Sequence, residues 1–92
     1  MRRWVVVYDI GEDERRQKIF SLMKDFGHRV QYSVFECKLR DEDLLLLQAK
    51  LEELINRDED NVVMYRLCAR CERDVRRMGK APDPAGQSII II

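Results

Sequence analysis

The chain has 92 residues, of which 46% are hydrophobic and 37% charged, and 17 basic residues balance 17 acidic ones. This length fits one domain, and the composition excludes an intrinsically disordered chain. No apolar run approaches the roughly 18 residues that span a bilayer. The N-terminus, Met1-Arg2-Arg3 and a short β-branched run, lacks a signal-peptide cleavage pattern. We therefore expect a cytoplasmic protein without membrane contact.

Charge is distributed unevenly along the chain. Residues 1–40 hold 9 basic and 6 acidic side chains, residues 41–60 hold 2 and 8, and residues 61–92 hold 6 and 3. A polyanion can bind two basic flanks while the acidic middle faces away, although solvated charged faces are equally common. The pattern allows a nucleic-acid partner without requiring one.

The three cysteines, Cys37, Cys68 and Cys71, are an odd number, which argues against a disulfide framework. Cys68 and Cys71 have the spacing of half a zinc site or of a redox motif. A four-ligand zinc site needs a second pair nearby, and the one histidine, His28, is distant in sequence. We favour small residues near a strand end over metal or redox chemistry.

The first third of the chain predicts a strand and a helix. The unbroken apolar run Trp4–Tyr8, ending at Asp9, is typical of a central strand covered on both faces. An acidic turn at residues 12–14 then opens a helix that Gly27 ends. Its apolar residues recur at helical spacing, at Ile19, Leu22, Met23 and Phe26.

Residues 29–40 alternate between apolar and polar side chains, and the alternation changes phase halfway. Apolar residues lie at even positions and then at odd ones: Val30, Tyr32 and Val34, then Phe35, Cys37 and Leu39. A one-residue slip exchanges the buried and exposed faces of a strand. The chain must therefore bulge or turn near residues 33–35, and we predict two tightly joined strands.

A second helix and a last strand follow. The acidic residues 41–43 open a helix, and Val62–Leu67 predicts a core strand. The helix has one apolar stripe, too short for a coiled-coil seam, formed by Leu44, Leu47, Leu51, Leu54 and Ile55. The resulting order β-α-β-β-α-β is that of a ferredoxin-like α+β fold with one sheet.

The C-terminal part shows little periodicity. We expect residues 68–87 to form an irregular connection and residues 88–92, Ser-Ile-Ile-Ile-Ile, to form a strand. That strand has no evident place in its own four-stranded sheet, so it is predicted to join the sheet edge of a second subunit. Residues 1–92 then form one domain of a homodimer.

The sequence offers few catalytic patterns. It has no glycine-rich phosphate loop and no nucleophile elbow. Asp9 lies at the end of the predicted central strand, where a carboxylate is either a ligand for Mg²⁺ or the cap of a turn or helix. The residue pattern leaves both interpretations open.

Three segments, Tyr8–Ile10, Arg15–Ile19 and Gly27–Cys37, resemble the family of CRISPR-associated protein two. The resemblance extends over residues 1–67. It implies a dimeric ferredoxin-like protein that acts with the CRISPR integrase in spacer acquisition and binds duplex DNA or single-stranded RNA. It also implies a C-terminal strand that crosses to the partner.

The resemblance further implies functional residues. Asp9 of each subunit would be catalytic and would hold Mg²⁺, or alternatively Mn²⁺, across the dimer axis. The nucleic-acid-facing or supporting residues would be Tyr8, Arg15, Arg16, Lys18, Arg29 and Phe35. Alternatively, Arg16 and Lys18 lie on a solvated helix face and Phe35 is a core or interface aromatic.

Two functions of different class remain open. One is a metal-dependent endonuclease acting on RNA or DNA, and the other is a non-catalytic adaptor that bridges integrase dimers and duplex DNA. Only the endonuclease needs a metal at Asp9. A ligand-binding regulatory domain of the same fold is a third alternative, but it leaves the resemblance over residues 33–37 unexplained.

Overall fold

A computed structural model of the chain describes residues 1–81. Its first six elements follow the predicted order, which confirms the ferredoxin-like α+β fold. The elements are β1 (Arg2–Asp9), α1 (Asp13–Phe26), β2 (His28–Gln31), β3 (Val34–Leu39), α2 (Asp41–Leu54), β4 (Asn61–Leu67) and α3 (Ala69–Arg73).

The four strands form one antiparallel sheet in the order β2-β3-β1-β4, with β1 in the interior as predicted. Val6 pairs with Phe35 and Met64, while the next residue back, Val5, pairs with Glu36 and Tyr65. Directly opposed residues in a sheet share a face. The Val6 row is therefore on one face of the sheet and the Val5 row on the other.

Helices α1 and α2 cover the Val6 face, where the core lies. Its fully buried side chains include Val6, Ile19, Met23, Phe35, Cys37 and Leu47. The expected cover on both faces of β1 is only partial on the other face within residues 1–81, where Val5 and Val7 are half-buried and Tyr65 is exposed. The unbroken apolar run therefore reflects a second apolar face that stays partly open.

Both ends of α1 lie where the sequence places them. The Glu12 carboxylate accepts hydrogen bonds from the backbone N–H of Glu14 (2.8 Å) and of Arg15 (3.2 Å), which caps the helix. At the other end, a β-carbon on Gly27 would lie 2.4 Å from the Glu36 carbonyl oxygen and 2.5 Å from Cys37 Sγ. Glycine is needed here because the helix end lies directly against β3.

The hairpin between β2 and β3 confirms two tightly joined strands. Gln31 pairs with Val34 across a two-residue turn, Tyr32 and Ser33, and the register shifts between Arg29 and Gln31. The turn and the shift account for the change of phase in the sequence.

The described C-terminal residues return over the open face of the sheet. Arg3 pairs with Glu36 (3.3 Å) and with Glu72 of α3 (3.1 Å), and Arg77 pairs with Glu36 (2.6 Å). Buried ions need such partners, since an unpaired charge away from water is costly. These ion pairs fix the chain after β4 against the sheet.

Helix α3 lies in the first part of the predicted irregular connection, residues 68–87. It forms because Cys68 caps it, accepting a hydrogen bond at Sγ from the Cys71 N–H at 3.3 Å. All three cysteines are free thiols, with Cys37 buried and the other two exposed.

The predicted strand at residues 88–92 lies outside the described residues. Within residues 1–81, no helix is long and apolar enough to cross a membrane.

Candidate functional site

A pocket of about 630 Å³ opens at the C-terminal end of β1, between the start of α1 and the tip of the β2–β3 hairpin. We call it the Asp9 pocket. It contains four of the seven predicted site residues, Tyr8, Asp9, Arg16 and Arg29. Its other lining residues include Asp13 and Tyr32, which were not predicted as site residues.

The strand end gives the pocket a buried phenol and an exposed carboxylate. Tyr8 lies on the Val6 face of the sheet and is 4% exposed, whereas Asp9, the last residue of β1, is exposed. Burial raises the pKa of Tyr8, and the nearby Arg29 and Arg16 partly offset that increase. The Tyr8 hydroxyl is therefore neutral at pH 7 and able to donate a hydrogen bond.

The two pocket arginines are held in different ways. Arg16 donates a hydrogen bond from Nη2 to the Ile10 carbonyl (3.0 Å) and pairs through Nη1 with Asp13. The Arg29 guanidinium carbon lies 5.1 Å from the centre of the Phe20 ring, a cation–π distance. Both guanidinium groups are thus positioned at the pocket before any ligand arrives.

Phe35 supports the pocket from the core. It is 0% exposed, stacks on Tyr8 with ring centres 6.2 Å apart, and meets Phe20 edge-on at 5.9 Å. The structure therefore favours the core interpretation of Phe35. The Phe35 ring contacts both Tyr8 and Phe20 and holds them in place, and Phe20 in turn positions Arg29.

Arg15 points away from the pocket into a second ionic group. Its Nε donates to Asp60 (2.8 Å), and its terminal nitrogens approach Glu59 (2.9 Å) and Glu12 (3.4 Å). We call Arg15, Glu59 and Asp60 the Asp60 cluster. The hydrogen bond from Arg15 holds the pKa of the Asp60 carboxyl well below its usual range. Lys18 is exposed on α1 and does not line the Asp9 pocket.

Sequence reasoning missed Asp13 and Tyr32 in the Asp9 pocket, and both carboxylates of the Asp60 cluster, Glu59 and Asp60. Asp13 was interpreted as a favourable charge at a helix start, and Tyr32 as part of a strand pattern, although a residue next to the phase change was a candidate for the turn. Asp60 gave no signal, because its role depends on Arg15, 45 positions earlier.

The chemistry of the pocket fits a hard divalent cation with few protein ligands. Within residues 1–81 there is no cluster of three or more His, Cys, Asp or Glu side chains suited to a metal. Mg²⁺ commonly binds one or two carboxylates and completes its shell with water and phosphate oxygens. Asp9, with Asp13 in the same pocket, meets that requirement.

This fold and pocket define a small ferredoxin-like protein with carboxylates and arginines gathered at the end of its first strand. A family model described as CRISPR associated protein Cas2 matches residues 1–75. The chain therefore belongs to the Cas2 family, as its resemblance to the family predicted.

Comparisons with individual relatives agree with this family assignment. The chain is 42% identical over 91 residues to a CRISPR-associated endoribonuclease Cas2 of Chloroflexus aurantiacus, covering 97% of this chain and 98% of the relative. A hypothetical protein of Thermus thermophilus has a TM-score of 0.79 at 36% identity, covering 90% and 96%. A chain of a partial Cas6-RT-Cas1–Cas2 complex has a TM-score of 0.75 at 26% identity, covering 100% and 98%.

Proposed function

We propose that this protein acts in CRISPR adaptation as a homodimer that binds nucleic acid beside the CRISPR integrase, and that the Asp9 pocket is a Mg²⁺-dependent endonuclease site. The observation that carries the proposal is the convergence of an exposed carboxylate, Asp9, with Arg16, Arg29 and the Tyr8 hydroxyl in one pocket. The endoribonuclease name of the Chloroflexus relative and the similarity to a chain from a Cas1–Cas2 complex support it.

The open face of the sheet supports the homodimer. Val63 is 40% exposed and Tyr65 is 57% exposed, beside the half-buried Val5 and Val7. A small domain gains stability by burying such a face against a second copy. We expect light scattering to give twice the 11.0 kDa chain mass. Removal of residues 88–92 should shift the mass toward the monomer, and an unchanged dimer would contradict the predicted strand exchange.

The pocket residues have separate roles in phosphodiester cleavage. Asp9 would hold Mg²⁺, with Asp9 of a second subunit as the expected further ligand. A bound Mg²⁺ polarises a phosphodiester and lowers the pKa of coordinated water. Arg29 and Arg16 bind phosphate oxygens and orient the backbone of the nucleic acid. The neutral Tyr8 hydroxyl donates a hydrogen bond to the same group.

The Asp9→Asn variant tests the endonuclease. It keeps the size of the side chain and removes its charge, so Mg²⁺-dependent cleavage of labelled RNA or DNA should fall by about 100-fold or more, which corresponds to a barrier increase of about 3 kcal/mol. Thermal melts should show a folded protein that Mg²⁺ no longer stabilises. Asp25→Asn, which removes an exposed carboxylate near the end of α1, is the matched control and should keep both the cleavage and the response to Mg²⁺.

One observation favours the non-catalytic adaptor instead. Asp13, the second carboxylate of the pocket, is already paired with Arg16, which leaves Asp9 as the main ligand of this subunit. If wild type and Asp9→Asn cleave equally and respond equally to Mg²⁺, the endonuclease is wrong. An adaptor then predicts that Asp9→Asn still supports spacer acquisition with the integrase.

A further inference from the structure

Tyr32 combines extreme exposure with a position at the pocket. It is 92% exposed at the tip of the β2–β3 hairpin, and yet it lines the Asp9 pocket. Its ring is therefore not part of the core formed by residues 1–81. We propose that Tyr32 is a stacking platform for an unpaired nucleobase, and that this ring makes the pocket select single strands over duplexes. This inference rests on the proposed function and adds a specificity-determining residue to its site.

The hairpin tip is held in place, as a platform requires. Gln31 pairs with Val34 on the two sides of the turn, and the Tyr8 N–H donates a hydrogen bond to the Ser33 carbonyl at 3.1 Å. That bond ties the residue after Tyr32 to the residue before Asp9. The ring is thus carried on a backbone with a fixed relation to the proposed site of cleavage, which reduces the entropy lost on binding.

The surroundings supply the second requirement, which is a cationic path for the phosphate backbone. Arg29 lies over Phe20 at 5.1 Å, and Lys24 lies 4.9 Å from the centre of the same ring. Proteins that bind single strands combine basic side chains along the backbone with aromatic rings on which successive bases stack. Arg16, Arg29 and Lys24 provide the charge, and Tyr32 provides the exposed ring.

The same arrangement discriminates between single strands and duplexes. Bases inside a duplex already stack on one another, so their faces are not available to a protein ring, whereas unpaired bases can be splayed onto an aromatic side chain. Arginines can bind the phosphates of either ligand. Loss of the Tyr32 ring should therefore weaken binding to single strands and leave duplex binding nearly unchanged.

The test uses the full-length chain in EDTA, so that binding is measured without cleavage. The probes are a short single-stranded RNA containing 2-aminopurine and a duplex DNA of the same sequence. Tyr32→Ala and Tyr32→Leu should bind the single strand about 10- to 100-fold more weakly, with loss of the 2-aminopurine quenching that stacking produces. Tyr32→Phe keeps the ring and should bind like wild type.

The outcomes separate this inference from the proposed function. Unchanged single-strand affinity in Tyr32→Ala overturns the stacking platform, while cleavage that still depends on Asp9 leaves the endonuclease standing. An equal loss of affinity for the single strand and the duplex also overturns the stacking platform, because Tyr32 would then support the pocket in general and not contact an unpaired base. A lower light-scattering mass in Tyr32→Ala would instead assign Tyr32 to the contact between subunits and overturn the proposal.

Discussion

Two neighbouring arginines at the start of α1 belong to different regions. Arg15 is part of the Asp60 cluster, and Arg16 is part of the Asp9 pocket. Asp60 accepts hydrogen bonds at 2.8 Å from Arg15 Nε and from the backbone N–H groups of Gly11 and Asn56, and its side chain is 0% exposed. Asp9 is exposed. A saturated carboxylate stabilises the fold, whereas an accessible one remains available to a ligand.

The largest effect should come from removing the centre of the saturated region. Asp60→Ala leaves Arg15 Nε and two backbone N–H groups without their acceptor, which is strongly destabilising for buried groups. We expect the midpoint of thermal unfolding to fall by several degrees. The exposed neighbour Asp58→Ala is the control and should melt like wild type. A normal melt for Asp60→Ala would break the contrast between the two regions.

Lowering the pH should destabilise the fold through protonation of Asp60. The pKa of Asp60 is lowered in the folded state, so below about pH 4 the unfolded chain takes up a proton that the folded chain still excludes. The stability contributed by Asp60 is therefore complete above that range and is lost as the pH falls toward the folded pKa. Thermal melts of wild type and Asp60→Asn across this pH interval measure the stability that Asp60 contributes. If the melting midpoints of the two proteins fall in parallel with pH, Asp60 does not cause the loss.

The salt dependence of nucleic-acid binding distinguishes the two arginines. Arg29→Ala and Arg16→Ala should each reduce the slope of log affinity against log salt by about 1, the effect of one lost phosphate contact. Arg15→Ala should leave the slope unchanged and lower the melting midpoint, because its guanidinium is already engaged by carboxylates. A reduced slope in Arg15→Ala would restore the role that the family resemblance assigned to it.

The smallest change concerns one hydroxyl group. Tyr8→Phe keeps the ring packed on Phe35 and removes the oxygen near Arg16 and Arg29. We expect binding to fall by about 2- to 10-fold, the effect of a single net hydrogen bond, with an unchanged melt. Identical affinities in the two proteins would confine Tyr8 to a packing role.

Local patterns in the sequence were enough for most of the fold. The phase change in residues 29–40 predicted the hairpin, and Gly27 marked the end of α1, because both signals depend on neighbouring residues. The pocket was recovered in part through the family resemblance. That Arg15 and Arg16 belong to different sites could not be predicted. It depends on the different directions in which successive side chains leave the helix, and on a carboxylate from a loop distant in sequence.

The hydrogen bond from the Tyr8 N–H to the Ser33 carbonyl also provides a probe of how fast the hairpin tip opens. It joins the end of an interior strand to the tip of a hairpin at the sheet edge. Deuterium exchange at this one amide therefore times the opening of the hairpin tip, while the amides of β1 that pair with β3 time the opening of the sheet. If the two rates differ, the rim of the pocket fluctuates on its own, and a bound single strand should slow the Tyr8 amide selectively.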